Sequence, residues 1–374
     1  YTDHSMNAIL LGALLHDLGK VGQRAGLPEN HQEIGSSLLQ SVLPQGMENV
    51  ADLASEHHDI SKLISPGFES LKTVILADCI STGEISEAEA AMDSTSPLLS
   101  IFTSINIGKG SIPKSAFYIP KSLDISHATV FPKDIISGAE VAYKQTWDAI
   151  KKDFLTIREI QNPAAYFNTV LYLLKKHTWT IPSAANKNGS DISLYDHSRI
   201  ACAIAACLKN EEIEDVSREV NSGVQGKERF LLVAGDISGI QSFLYTITSK
   251  GALKGLRGRS LYLQLLSEAA AKFILRKLEY PLTNLIYSGG GHFYLLISAS
   301  EEKKLVSIQK DIERALLNMH HGDLFLALGW TKLTIKDLSS ITPDSLPSLP
   351  LKLSEALGDA GEAKLRRFSA LGSE

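Results

Sequence analysis

The hydrophobic pattern changes its period once along this 374-residue chain, near residue 229, and this change limits the possible folds more than any other feature. Before it, apolar residues recur at helical spacing in segments such as NAILLGALLHDLG and AAYFNTVLYLLKKH. After it, short apolar runs of strand type alternate with long helical segments. We therefore expect an α+β multidomain chain with a helical first part and a mixed second part.

The second part has a recognisable element order. The strand-type run RFLLVAGDIS is followed by a long helical segment, then by the runs NLIYS and FYLLISA joined by GGGH, a further helix and a last strand, DLFLALGWTKLTI. The order β-α-β-β-α-β is typical of a ferredoxin-like fold, the fold of polymerase palm domains. We therefore predict one ferredoxin-like domain here.

The same pattern divides the chain into five segments. We predict a helical domain at 1–95, an extended linker or ribbon at 96–137, a helical region at 138–226 that packs on both domains, the ferredoxin-like domain at 227–337, and a linker at 338–374 that leads toward a further part of a longer protein.

Charge and cysteine content limit the function classes. The net charge of −5 argues against a protein that coats nucleic acid non-specifically, although it permits a local basic groove. The three cysteines form neither a pair of CxxC zinc motifs nor a disulfide framework. No run of 18 apolar residues is present. We expect a cytoplasmic protein without a membrane partner.

The stretch ALLHDLGK, residues 13–20, has two interpretations. Gly19 suits a helix C-cap, and His16 and Lys20 suit the negative end of a helix dipole. Alternatively, adjacent His16 and Asp17 are metal ligands, and Lys20 neutralises the charge of a phosphate.

Further candidate ligands favour the metal interpretation. Each lies at or near the end of an apolar helical run, so that several helices can direct imidazoles and carboxylates into one pocket. Two metal ions held this way can stabilise both the attacking and the leaving oxygen of a phosphodiester. The candidates are His16, Asp17, His31, His57, His58, Asp78 and His197.

This set resembles that of the HD-domain phosphohydrolases. In their two-metal members a single His precedes the HD pair, which is followed by His, HH and Asp. Here the HD pair comes first, and only His197, in LYDHSRIACAIAA, matches the leading His. The resemblance therefore implies a circularly permuted HD domain that region 138–226 completes. The alternative for His197 is an ordinary histidine at a helix N-terminus, beside Asp196.

Several longer motifs resemble another family over nearly the whole chain. VAGDISGIQSFLYTITSKGALKGLRGRS, LIYSGGGHFYLL, ADCISTGE and WTIPSAANKNGSDISLYDH are similar to the large subunit of type III CRISPR effector complexes, in the Csm-type (III-A) form. The resemblance implies an HD nuclease that cuts single-stranded DNA, and two palm domains, of which the second makes cyclic oligoadenylate from ATP. It implies guide RNA, target RNA and other effector subunits as partners.

The chain contains only the first palm, and its hairpin lacks the expected acids. Asp236 lies where a metal-binding carboxylate would be, but Gly291 and His292 occupy the positions at which a cyclase has acidic residues. We expect no synthesis by this palm alone. A glycine turn can let backbone approach a nucleotide, or it can simply form a tight hairpin. The resemblance favours a site for ATP with Mg, formed by Asp236, Ser238, Gly289, Gly290, Gly291, His292, Lys254 and Arg257.

The basic stretch KGALKGLRGRS contains Lys250, Lys254, Arg257 and Arg259. We predict a glycine-rich loop before a helix, and such a loop favours phosphates. The alternative is a solvated charged loop. DISLYDH could likewise be a structural clasp between the helical region and the palm.

Three functions remain open from the sequence. The first is a single-strand deoxyribonuclease that uses Mn, Ni, Co or Mg, with His16, Asp17 and Lys20 as catalytic residues. The second is an HD hydrolase of free or cyclic nucleotides, which would use the same ligands. The third is an inactive scaffold or nucleotide-sensing fragment.

Overall fold

The computed structural model describes residues 4–83, 97–105, 115–134, 138–184, 190–222, 226–246, 251–339 and 348–371. The chain forms two compact units, Tyr1–Ala205 and Ala206–Glu374. Among the described residues, no helix combines the length and the apolarity needed to cross a bilayer.

The first unit is helical with one short ribbon. Its helices are α1 (His4–Leu15), α2 (Gly19–Arg24), α3 (His31–Val42), α4 (Glu48–Glu56), α5 (Glu69–Thr82), α6 (His127–Val130), α7 (Ala139–Ile157), α8 (Pro163–Thr178) and α9 (Leu194–Leu208), which runs into the second unit. Short 3₁₀ helices cover Ile60–Ile64 and Ile101–Ser104. Strands β1 (Leu98–Leu99) and β2 (Phe117–Tyr118) pair antiparallel within the predicted ribbon, of which 96, 106–114 and 135–137 lie outside the described residues.

Helix α1 lies in the centre of the first unit. Leu10, Leu14 and Leu15 are at most 1% exposed, and the helix packs against α4 and α5. A helix that is apolar on all sides is expected in such a position, because it has no face to offer to water. The chain leaves this helix directly into the His16-Asp17 pair, which is therefore also buried.

Gly19 serves a different purpose from the predicted helix cap. It begins α2, and a Cβ added to it would lie 1.8 Å from the carbonyl oxygen of His31 on α3. Gly35 on α3 faces Gly19 with less restriction, since its added Cβ would lie 3.3 Å from the Gly19 nitrogen. The two glycines let α2 and α3 touch through their backbones, which places the start of α3 next to the HD pair.

The second unit confirms the predicted ferredoxin-like domain. Its elements are α10 (Ile213–Ser222), β3 (Phe230–Ser238), α11 (Ile240–Tyr245), α12 (Ala252–Lys277), β4 (Leu285–Gly289), β5 (His292–Ser298), α13 (Glu302–His320), β6 (Phe325–Leu333), α14 (Ile335–Ser339) and α15 (Ser348–Leu371). The four strands form one antiparallel sheet in the order β4-β5-β3-β6, with the pairs Asp236–His292 and Ala234–Gly329 in register.

The segment predicted as a linker, 338–374, instead contains the long helix α15, which packs on β6 and β3. Ala356 and Ala360 are buried, and a Cβ added to Gly329 on β6 would lie 2.2 Å from the backbone nitrogen of Ala360. Small residues on both sides allow this close approach. The prediction was wrong because small residues carry little hydrophobic signal in a sequence, although they permit tight packing.

Candidate functional site

The structure brings all seven candidate metal ligands of the first unit together, although they come from distant parts of the chain. They lie in the turn after α1 (His16, Asp17), at the start of α3 (His31), at the end of α4 (His57, His58), within α5 (Asp78) and in the first turn of α9 (His197).

The carboxylate of Asp17 lies between two groups of imidazoles. Its Oδ1 is 3.5 Å from Nε2 of both His31 and His57. Its Oδ2 is 3.3 Å from Nε2 of both His16 and His197. We call the donors Asp17, His31, His57 and His58 group A, and the donors His16, Asp17 and His197 group B; within each group the donor atoms lie within 4.8 Å of one another.

Asp78 adds a second carboxylate on the side of group B. Its Oδ1 is 3.4 Å from Nε2 of His16 and 3.2 Å from Nε2 of His197. In each group two Nε2 atoms also face each other, at 3.2 Å between His16 and His197 and at 3.2 Å between His31 and His58. The Nε2 atoms thus converge toward common points.

Hydrogen bonds at the far side of three rings direct Nε2 inward. Nδ1 of His16 donates to the carbonyl of Ala13 at 2.9 Å, and Nδ1 of His57 donates to that of Ala54 at 2.8 Å. Nδ1 of His197 lies 3.3 Å from Oγ of Ser81. A carbonyl can only accept, so the rings of His16 and His57 carry a proton on Nδ1 and can present the lone pair of Nε2 to a cation.

The donor set fits divalent cations. Three buried atoms, Asp17 Oδ1, His57 Nε2 and Asp78 Oδ1, have no hydrogen-bond partner among the described residues. Buried polar atoms are normally satisfied, and a cluster of unsatisfied carboxylate oxygens and imidazole nitrogens is the pattern that metal ions complete. Asp17 can serve both groups at once.

The two groups differ in the protons that they hold. Burial lowers the pKa of His31 to about 3 and that of His57 to about 4, so both rings are neutral at pH 7. Burial also disfavours protonation of His16 and His197, but the neighbouring carboxylates of Asp17 and Asp78 outweigh it and raise the pKa of both rings. Burial disfavours the charged form of both carboxyl groups. Lys20 and His16 nevertheless hold the pKa of Asp17 well below its usual range, and His16 and His197 do the same for Asp78.

Lys20 is buried and held at two points. Its Nζ donates to Asp17 Oδ2 at 2.7 Å and to the carbonyl of Ser183 at 3.2 Å. The first contact places a positive charge next to the shared carboxylate. The second connects α2 to the segment before α9, and sequence reasoning missed it because a backbone acceptor has no sequence signal.

Two further residues around the site were also missed. Ser81 lies one turn after Asp78 on α5, donates to the Asp78 carbonyl at 2.9 Å and contacts His197. Arg24 lies one turn after Lys20 on α2 and donates to the carbonyl of Pro182. Their helical spacing from predicted site residues was the only available signal.

In the second unit, Asp236 and His292 lie opposite each other at the ends of β3 and β5. His292 Nδ1 is 3.2 Å from Asp236 Oδ1, and both side chains are partly exposed. Ser238 is buried at the end of β3, and its Oγ has no hydrogen-bond partner among the described residues.

The glycines of this hairpin form the tight turn between β4 and β5. Gly289 pairs with His292, and Gly290 and Gly291 connect the strands with φ of +62° and +87°. A Cβ added to Gly291 would lie 2.4 Å from Cδ1 of Ile240, whereas one added to Gly290 would have no neighbour within 4 Å. Positive φ at both positions explains the glycines without a ligand, so their role toward a nucleotide stays a prediction.

The prediction of a glycine-rich basic loop was wrong for the residues that the structure describes. From Ala252 onward the stretch is the beginning of α12, where Lys254 and Arg257 are exposed. Arg259 donates to the carbonyl of Phe243 and lies 5.1 Å from the centre of its ring. Alternating glycines suggested a loop, but a glycine costs a helix only about 1 kcal/mol, which the buried later turns of α12, at Leu263, Ala270 and Ile274, outweigh. Lys250 lies outside the described residues.

Comparisons with known proteins agree with both units. The profile of the HD domain family matches residues 3–83, and that of Csm1 subunit domain B matches residues 229–373. The Cas10/Csm1 single-strand-specific deoxyribonuclease (subtype III-A) of Methanocaldococcus jannaschii is 32% identical over 96% of this chain and 50% of its own length. The protein of the same description from Thermococcus onnurineus is 31% identical over 86% of this chain and 42% of its own length.

Solved structures show the same fold. The apo Csm1–Csm4 cassette matches with a TM-score of 0.75 at 23% identity, over 98% of this chain and 49% of the matched one. The structure of Csm1 in T. onnurineus matches with a TM-score of 0.73 at 24% identity, over 97% of this chain and 50% of the other. The chain spans about half the length of the relatives that it matches. With an HD domain and a Csm1 domain B in the expected order, it belongs to the Cas10/Csm1 family of subtype III-A CRISPR systems.

Proposed function

We propose that the first unit is a metal-dependent single-strand deoxyribonuclease of a cytoplasmic type III-A CRISPR effector complex. The observation that carries this proposal is the position of the Asp17 carboxylate, which faces the imidazoles of group A with one oxygen and those of group B with the other. Two divalent ions that share one carboxylate suit the hydrolysis of a phosphodiester. Relatives described as single-strand-specific deoxyribonucleases support the choice of substrate.

The ions would be held by the residues of groups A and B together with Asp78. The prevalence of imidazole nitrogen favours Mn, Ni or Co over Mg, which prefers oxygen ligands. When bound, such ions act as Lewis acids and lower the pKa of a coordinated water.

The residues of the chain contribute orientation and charge. The carbonyls of Ala13 and Ala54 keep the rings of His16 and His57 in the tautomer that presents Nε2. Lys20 keeps Asp17 ionised and offers a positive charge to a phosphate of the DNA. These contacts are in place before substrate arrives, so little reorganisation is needed during the reaction.

For the second unit we propose a nucleotide-facing role without synthesis. Asp236 supplies one carboxylate, but its neighbour across the sheet is His292 and not a second acid. Two carboxylates are normally needed to hold the metal ions of a polymerase-type reaction. Solved Csm1–Csm4 cassettes described with one ATP and with cA4 support a nucleotide site in this family. ATP with Mg, a Csm4-type subunit, guide RNA and target RNA are therefore the proposed ligands and partners.

The test is cleavage of end-labelled single-stranded DNA by the purified chain with Mn, Ni, Co or Mg. We expect metal-dependent cutting that the variant His16→Ala/Asp17→Ala lacks and that the matched palm variant Asp236→Ala/His292→Ala retains. Cyclic and free nucleotides serve as competing substrates. Hydrolysis of these nucleotides in place of DNA would overturn the choice of substrate, and a metal-loaded chain that cleaves nothing would favour a scaffold.

A further inference from the structure

The segment that precedes α9 is held in place by α2, the helix that follows His16 and Asp17. We infer that Arg24 is a positioning residue that seats this segment, so that His197 reaches group B. The inference rests on the proposed two-ion centre and adds to it a residue that contacts neither ion.

The segment forms a short hairpin whose two arms are hydrogen-bonded. The amide of Leu194 donates to the carbonyl of Ile181 at 2.6 Å, and the amide of Ser183 donates to that of Ile192 at 2.9 Å. Pro182 and Ser193 are bridge partners between these bonds. We call residues 181–184 and 190–194 the hairpin; residues 185–189 lie outside the described part of the chain.

The second arm of the hairpin begins α9 and thereby orients His197. Ser193 accepts a hydrogen bond from the amide of Asp196 at 3.0 Å, which caps the start of α9, and its hydroxyl donates to the Asp196 carboxylate at 2.8 Å. The amide of His197 donates to the carbonyl of Ser193 at 3.0 Å. His197 is thus one helical turn from the hairpin, and the position of the hairpin determines the position of its ring.

Two cations of α2 bind the first arm. Lys20 Nζ donates to the carbonyl of Ser183 at 3.2 Å, and Arg24 Nη1 donates to the carbonyl of Pro182 at 2.5 Å. The two cations are four residues apart and therefore share one face of α2. Consecutive carbonyls of the hairpin are held by consecutive turns of the helix that leaves the HD pair.

Arg24 has few other interactions. It is 3% exposed, it forms no ion pair with a carboxylate of the described residues, and its Nη2 has no hydrogen-bond partner among them. Its other side-chain contact is the buried hydroxyl of Tyr143. A buried charge is costly unless its hydrogen bonds are made, so the bond to Pro182 is a main interaction of this side chain.

The consequence of losing this bond should be selective. His197 belongs to group B only, while the donors of group A, apart from the shared Asp17, come from the start of α3 and the end of α4. Without Arg24 the hairpin keeps one of its two cationic contacts, and the ring of His197 loses its fixed position. Binding of the ion in group B should weaken while binding in group A is unchanged.

The experiment compares metal binding of four forms of the chain: wild type, Arg24→Met, His197→Ala and Lys72→Met. Lys72 is also a buried cation of the first unit and pairs with Glu69 on its own helix α5, so it controls for loss of a buried charge. Mn²⁺ is titrated calorimetrically, and the spin coupling between two bound Mn²⁺ ions is followed by electron paramagnetic resonance.

We expect Arg24→Met to bind one Mn²⁺ as wild type does and a second one about tenfold or more weakly, with loss of the coupled signal, as in His197→Ala. Lys72→Met should keep both ions. In the double variant Arg24→Met/His197→Ala, metal affinity should equal that of His197→Ala alone, because Arg24 acts through that ring. An additive loss, or an equal loss at both ions, would show a general structural role and overturn the inference.

A second measurement does not involve metal. Amide exchange at Leu194 and Ser183 should accelerate in metal-free Arg24→Met but not in Lys72→Met. Should Arg24→Met fail to fold, Ser193→Ala loosens the same connection from the α9 side and should show the same selective loss. If wild type binds no second ion, the proposed centre itself is wrong. If wild type and Arg24→Met both bind two ions equally, only the role of Arg24 is wrong.

Discussion

The proposed metal centre of the first unit and the β4–β5 turn of the second unit each present an aspartate next to histidine, but in opposite environments. The Asp17 side chain is 2% exposed and has four imidazole or ammonium neighbours within 3.5 Å in addition to His16. The Asp236 side chain is 30% exposed and contacts His292, whose side chain is 45% exposed. The surroundings of Asp17 are therefore suited to binding cations because they are buried and rich in donors, whereas those of Asp236 are neither.

The difference arises from the two architectures. In the first unit, the ends of several helices and the turn after α1 meet in the interior, so that each adds a donor to one volume. In the second unit, the β4–β5 turn consists of two glycines that have no side-chain donors. The neighbouring side chains of Asp236 and His292 are partly in contact with water. A helical bundle can therefore desolvate and orient ligands in a way that an exposed hairpin cannot.

The largest expected effect is that of Asp17→Asn on DNA cleavage. The amide keeps the size of the side chain but removes the charge that both groups share, so we expect the rate to fall about 10³-fold, which corresponds to about 4 kcal/mol of transition-state stabilisation. Cleavage of single-stranded DNA under saturating Mn²⁺ measures it. A loss below about tenfold would contradict a shared ligand and would make the two regions more alike than we argue.

The pH dependence of metal uptake should separate group A from group B. His31 and His57, with pKa values of about 3 and about 4, are neutral above pH 5, so no proton has to leave these two rings when group A binds an ion between about pH 6 and about pH 8. The pKa of His16 and that of His197 are raised by the carboxylates of Asp17 and Asp78, so protons compete with an ion for these rings up to a higher pH than for His31 and His57. Affinity of group B should rise about tenfold per pH unit for each proton released.

Calorimetry in buffers of different ionisation enthalpy counts those protons. The variant His197→Ala serves as the control, since it should lose the pH-dependent step and keep the pH-independent one. If the affinities for both ions changed equally with pH, the carboxylates would not raise the pKa of the group B histidines selectively.

Substitution in the glycine turn should affect stability and leave cleavage intact. Gly291→Ala places a Cβ at positive φ and 2.4 Å from Ile240 Cδ1, so we expect a loss of about 2 kcal/mol in the free energy of unfolding of the second unit. Gly290→Ala, at positive φ with open space around it, should cost about 1 kcal/mol. Urea unfolding followed by circular dichroism measures both. Equal stability of both variants and wild type would argue against the observed turn.

The smallest effect is expected from Asp236→Asn. Partly exposed ion pairs contribute about 0–1 kcal/mol, so the free energy of unfolding should change by less than about 1 kcal/mol. The rate of DNA cleavage by this chain should remain within about twofold of wild type. A large loss of cleavage would show that the palm carboxylate contributes to the nuclease reaction, and the contrast between the two regions would fail.

Much of the fold and of the candidate site follows from local sequence. The period of the hydrophobic pattern separated the helical part from the β-α-β-β-α-β part, because buried residues recur at a different spacing in helices than in strands. The donors His16, Asp17, His31, His57, His58 and Asp78 stood out because polar, metal-binding side chains at the ends of apolar helices have no simple role in a core. Their role as ligands stays a prediction, although the structure brings them together.

Other features depended on contacts between distant residues. The sequence alone left His197 open between two roles, and only packing placed its ring 3.3 Å from Asp17. The bonds from Lys20 and Arg24 go to backbone carbonyls, which every residue possesses, so no pattern could have identified Pro182 and Ser183 as their acceptors.

The chain by itself therefore determined which chemical groups are available and on which kind of element each lies, because helix and strand periodicity act over a few residues. Tertiary structure decided which groups meet, that α15 covers β6 and β3 where a linker was predicted, and that Lys254 and Arg257 lie on a helix. Those outcomes follow from close packing and from buried hydrogen bonds between residues far apart in sequence, and short-range patterns carry no record of either.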